Sequence, residues 1–144
     1  MGNVQFKDNK ILFVNNKIAM HEDCCCDTCP VDCSGCDSSY TVDISGFTGT
    51  CGTFFNGTHT VENDSDCMWV QASGGLGAGD APGIILSCYL GIWSLVATKL
   101  YQPGPILYVY KISGQIDAKN CPDDTYDMHN VLRCSGQTGT AVVS

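Results

Sequence analysis

The chain has 144 residues, eleven of them cysteine, and carries seven Lys and Arg against fifteen Asp and Glu, a formal net charge of −8. Phosphate neutralisation needs clustered cations, so this balance excludes nucleic acid and argues equally against docking on an anionic membrane. The length suits one domain able to bury roughly two thirds of its unfolded surface, and no apolar run approaches the roughly 20 residues of a spanning helix.

Three zones follow in chain order. Residues 1–23 hold three short apolar runs, VQF, KILFV and KIAM, joined at Asp8-Asn9 and Asn15-Asn16. Asn and Asp tolerate positive φ, so both junctions suit hairpin turns and the zone reads as a β-meander. Lys and Asn interrupt it every few positions, leaving no signal-peptide core, and Phe6 stands where a myristoylation signal wants Ser or Thr. The expectation is a soluble chain made in the cytoplasm without a cleaved signal. Residues 24–39 hold six cysteines: Cys24, Cys25, Cys26, Cys29, Cys33 and Cys36.

Residues 40–144 read as one β-domain. YTVDISGF alternates with period two, and TFFNGTHTV carries Asn56-Gly57, a short-range hairpin signal. CMWVQA reads as a strand, and SGGLGAGDAPG over 73–83 as a surface loop. IILSCY and IWSLVATKL are strands around a tight turn at Leu90-Gly91, YQPGP breaks the chain, and ILYVYKI and GTAVVS are further strands. DTYDMHNVL is the stretch best suited to a short helix. The fold class is all-β: an antiparallel β-sandwich or barrel, preceded by the meander and a cross-linked cysteine-rich connection.

The cysteine cluster has two readings. As a metal site, Cys26, Cys29, Cys33 and Cys36 form two CxxC pairs with the zinc-pair spacing, and Cys29-Pro30 echoes an iron–sulfur run. Only Pro30, Val31 and Asp32 separate the pairs, far fewer than a zinc ribbon uses. As cross-links, an extended Cys24-Cys25-Cys26 points its sulfurs to opposite sides and fans bridges towards Cys51, Cys67, Cys88, Cys121 and Cys134. This is the favoured reading, with no cofactor. Cys121–Cys134 is the best single pairing and Cys67–Cys88 a weaker one, although spacing alone does not settle connectivity.

No enzyme emerges. His21, His59 and His129 lack zincin spacing, and no nucleophile elbow accompanies them. The acid clusters at Asn63, Asp64 and Asp66 and at Asp123, Asp124 and Asp127 fit solvated turns better than an EF-hand. Without a secretory route the sequons at Asn56 and Asn63 are accidental. Trp69 and Trp93 are candidates for a sugar-binding platform, with core packing as the alternative.

In order, SSYTVDISGF, FNGTHTV, CMW, WSLVA, NCPDDTY and GTAVVS resemble small cysteine-rich β-modules of tailed-phage virion proteins and bacterial surface proteins. KILFVNNKIAM followed by CCC resembles the start of short phage-encoded chains. The resemblance implies a non-enzymatic structural or adhesive part displayed in many copies. The expected function is a virion accessory: a capsid decoration or cement protein, or a small tail or fibre component. It would be made in the host cytoplasm and oxidised after lysis, with other virion proteins as partners and a homo-oligomeric state. Val4, Phe6, Ile11, Phe13 and Ile18 are the expected anchor to the particle. The alternatives are an adhesive module for host surface glycans and a metal-binding protein.

Overall fold

The computed structural model describes residues 13–14, 17–18, 33–71, 76–77, 79–117 and 119–144. Two short strands, β1 (Phe13–Val14) and β2 (Lys17–Ile18), pair antiparallel across Asn15-Asn16, with Phe13 opposite Ile18. The rest is β3 (Ser39–Ser45), helix α1 (Gly49–Phe55), β4 (Gly57–Ser65), β5 (Met68–Gln71), β6 (Gly83–Tyr89), β7 (Ile92–Tyr101), β8 (Tyr108–Asp117), β9 (Thr125–Leu132) and β10 (Thr138–Val143). Strands β3 to β10 follow one another as antiparallel neighbours, and β10 returns to β3 to close an eight-stranded barrel. The all-β reading holds, in its barrel form.

Eight strands leave an interior just wide enough for side chains to fill. Alternation supplies them: Tyr40, Val42 and Ile44 on β3, and Trp93, Leu95, Ala97 and Lys99 on β7, all turn inward and are buried. Trp69, Trp93 and Tyr126 are the largest fully buried side chains. This apolar-in pattern is the reverse of a membrane barrel, whose apolar band faces outward.

The two ends are closed differently. At the lower end, Trp69 Nε1 donates to Asp37 O at 2.9 Å, Trp93 Nε1 to Lys119 O at 2.8 Å and Tyr126 Oη to Pro122 O at 2.9 Å. Cys33–Cys67 and Cys36–Cys121 lace the connecting segment to this rim, each with Cα atoms 5.5 Å apart. At the upper end α1 covers the mouth with Cys51, Phe54 and Phe55, and Cys51–Cys134 ties it to the β9–β10 turn.

Two local expectations are corrected. TFF lies on α1, not on a hairpin strand: Asn56 caps the helix and β4 starts only at Gly57. The Asn56 side chain bridges Phe47, accepting from its N–H at 3.2 Å and donating to its C=O at 2.8 Å. A Cβ on Gly52 would sit 2.7 Å from Phe47 O, so the helix packs too closely for any larger residue there. Conversely, DTYDMHNVL is β9, with Tyr126 and Met128 buried and Asp127 and His129 exposed in strict alternation. The Leu90-Gly91 turn is as read, with φ of 51° and 77°, the positive pair of a tight hairpin.

Candidate functional site

Because the eight-stranded barrel is closed, it presents an outer wall rather than a free strand edge. That wall is two-sided. On β3 and β4 the outward residues are polar, among them Thr41, Asp43, Thr60 and Glu62, and Thr58 Oγ1 donates to Asp43. On β5 to β7 an apolar row crosses the wall: Val70 pairs with Ile85, and Ile85 with Val96. Ile85 is 47% and Leu100 40% exposed, large values for such side chains. With Gln71, Gly83, Ile84 and Thr98 these residues line an open groove of about 360 Å³. Contiguous exposed apolar surface is a feature of interaction surfaces and ligand-binding grooves.

The second unusual feature lies inside the upper mouth. Lys99 is the one charged side chain in the core among the described residues. Its Nζ stands 5.9 Å from the centroid of the Phe54 ring and 4.0 Å from Asp80 Oδ2. Phe54 packs on Tyr101 and Tyr110 at 5.1 and 5.0 Å between centroids. At the same end Gln71 Oε1 is buried without a hydrogen-bond partner. Sequence reasoning overlooked Lys99, yet the signal existed: the period of IWSLVATKL places it on the side of Trp93, Leu95 and Ala97.

The residues proposed from sequence fare unevenly. Trp69 and Trp93 are 1% and 0% exposed, and their rings pack on each other at 5.9 Å, so they are core and offer no sugar platform. Cys33 and Cys36 bond to Cys67 and Cys121, so neither has a thiolate to give a metal; Cys26 and Cys29 lie outside the described residues. The Cys121–Cys134 pairing is overturned, because those residues sit at opposite ends of β9, about 27 Å apart for eight strand residues. A disulfide needs its Cα atoms within about 7 Å. Cys67 and Cys88 are neighbours, with Cys88 N–H donating to Cys67 O at 3.1 Å, but Cys67 bonds Cys33. Cys88 is disulfide-bonded to a partner outside the described residues. Cys24, Cys25, Val4, Phe6 and Ile11 also lie outside them, while Phe13 and Ile18 form the β1–β2 pair.

Elsewhere, Asp123 and Asp124 gather around Lys119, whose Nζ is 3.1 Å from Asp124 Oδ2 and donates to Asp123 O. The Thr125 N–H and that ammonium hold the Asp124 carboxyl below its ordinary range. Among the described residues no group of three His, Cys, Asp or Glu is placed to hold a metal. His59 is partly buried, its Nε2 3.0 Å from Phe55 O at the foot of α1. No family model, curated protein or solved structure matches this chain.

Proposed function

We propose that this chain is a non-enzymatic structural accessory of a phage virion, a decoration protein of the head or a small tail component, attached through the β5–β7 face. One observation carries the reading: a filled barrel, laced by disulfides at both ends, has a contiguous apolar row and groove on the outer wall of β5 to β7. Disulfides persist in oxidising surroundings and hold a small fold together outside the cell. The barrel interior is given over to packing, so the apolar outer face is where specific contact is made.

The partner follows from charge. Residues 33–144 carry ten Asp and Glu against Lys99, Lys111, Lys119 and Arg133. Glu62 lies directly beside Val70 at the rim of the apolar row. The complementary surface is therefore apolar at its centre and basic around it, on a neighbouring virion protein.

The test is occupancy of particles. Gradient-purified particles should contain the wild-type chain in many copies and lose it with Ile85→Asp and Val96→Asp together. The double variant should melt within a few degrees of the wild type, since both side chains face outward. A chain absent from particles, or a double variant incorporated normally, overturns the proposal.

A further inference from the structure

We propose that Asn56-Gly57 is a self-modification site: deamidation of Asn56, gated by the opening of α1, converts the helix clamp into a form that no longer closes. An asparagine followed by glycine is the dipeptide most open to this chemistry, because glycine puts no side chain in the path of its own backbone nitrogen. In this fold the dipeptide is the junction between α1 and β4, and both of its residues are exposed to water.

The closed geometry withholds the reaction. Ring closure requires Gly57 N to swing round beneath the Asn56 side chain, which the extended ψ of 137° at Asn56 does not allow. Asn56 Oδ1 accepts from Phe47 N–H at 3.2 Å, and Nδ2 donates to Phe47 O at 2.8 Å. A Cβ on Gly52 would sit 3.2 Å from that Nδ2, so the amide is seated between Phe47 and the helix. Gly57 opens β4 opposite Ile44, which fixes the junction from the strand side. Attack therefore needs both bonds to Phe47 broken and α1 lifted from the mouth. That helix has two glycines, two threonines and no side-chain bond at its N-cap, which places it among the segments that open locally at low cost.

The step balances with water as co-reactant. Gly57 N attacks Asn56 Cγ and gives its proton to solvent; the new C–N bond closes a succinimide as the Cγ–Nδ2 bond breaks and ammonia leaves. Water then adds to either ring carbonyl and breaks one C–N bond, leaving a carboxylate on the normal or the isomeric backbone link. A carboxylate only accepts hydrogen bonds. It still takes the Phe47 N–H, but it turns a second oxygen towards Phe47 O, where the amide had placed a donor. The isomeric link also adds a methylene to the backbone between α1 and β4. In both products the clamp is lost for good, so the upper mouth keeps a record of having opened.

The test incubates the full, oxidised chain at mildly alkaline pH beside the same chain reduced and unfolded in urea, and follows the amide-to-acid mass gain at residue 56 by peptide mapping. The folded chain should react at least about tenfold more slowly, since only molecules with α1 open can close the ring. Asn56→Asp, measured without incubation, should raise hydrogen exchange at Phe54 and Phe55 above the wild-type rate. Equal rates in the folded and unfolded chains overturn the gate, and an unfolded chain that keeps its amide overturns the site itself. Wild-type exchange in Asn56→Asp overturns the loss of the clamp.

Discussion

The two ends of the barrel are built on opposite principles. At the lower end the three largest buried side chains each donate a hydrogen bond of ordinary length to a backbone carbonyl of the rim, and two disulfides fasten the incoming chain beside them. At the upper end a seven-residue helix with two glycines and two threonines closes the mouth over a buried lysine, and one bridge holds it. Local propensity supports neither α1 nor a lysine in a core. The lower end combines side-chain packing and hydrogen bonds with two bridges, whereas the helix that closes the upper end is tied down by one.

Disulfide removal gives the largest expected effect and the most direct comparison. Cys36–Cys121 and Cys51–Cys134 span 85 and 83 residues, so chain entropy alone assigns each about 4.5 kcal/mol. Urea unfolding of the two double-serine variants should show the upper loss exceeding the lower, because α1 has little else to hold it. Hydrogen exchange should then rise around Phe54 and Phe55 and leave β5 protected. Equal losses and unchanged exchange would mean that the helix is seated by Phe54 and Phe55 packing rather than by the bridge.

Next in size is a cavity at the lower end. Trp93→Ala removes a side chain packed on Trp69 and the hydrogen bond to Lys119 O, at an expected cost of about 4 kcal/mol. Calorimetry should report it as a loss of global stability with one transition, since the wall strands share this core. Two separate transitions would show that the ends unfold independently.

What was legible in the sequence follows the same division. The wall strands announced themselves by period-two alternation and by turns such as Leu90-Gly91, where positive φ demands particular residues. The β9 strand was obscured because its outward positions are Asp and His, and its buried Tyr126 and Met128 alone make a thin pattern. Helix α1 could not be read from GTCGTFF, since its reasons are tertiary: the bridge to Cys134, the burial of Phe54 and Phe55, and the Asn56 clamp on Phe47. Disulfide partners depend on which loops share an end of the barrel, and closure sets that rather than spacing. The apolar row Val70, Ile85 and Val96 likewise exists only once three strands are in register.

A smaller effect tests how tightly the upper rim is packed. A Cβ on Gly139 would collide with the Phe47 ring and with Ser45 O, where β10 meets the segment leading into α1. Gly139→Ala should cost about 1–3 kcal/mol as overpacking, read as a lower denaturation midpoint with unchanged slope. A neutral result would show that Phe47 can move aside, and with it the seat of the helix.

The smallest expected effect is a pH dependence confined to the lower end. Burial, followed by the neighbouring Asp124 and Asp123 carboxylates, pushes the Tyr126 hydroxyl well above its ordinary value of 10.0. Burial likewise raises Tyr40, whose ring packs on Trp69. A folded pKa raised above the unfolded one contributes stability that is fully present below about pH 10 and is lost as pH rises beyond it, because only the unfolded chain then gives up its protons. Melting temperature should therefore fall more steeply above pH 10 than exposed tyrosines alone would produce. Tyr126→Phe should cost about 1 kcal/mol at neutral pH, through the lost bond to Pro122 O, and should flatten that alkaline fall. Asp124 bears on the acid side: its lowered carboxyl favours the folded state at neutral pH, and that contribution fades as pH drops through its folded value. Asp124→Asn should remove it and leave the alkaline limb unchanged. If Tyr126→Phe leaves the alkaline fall as steep as before, the proton release that drives it belongs to other tyrosines and the lower seal is not its source.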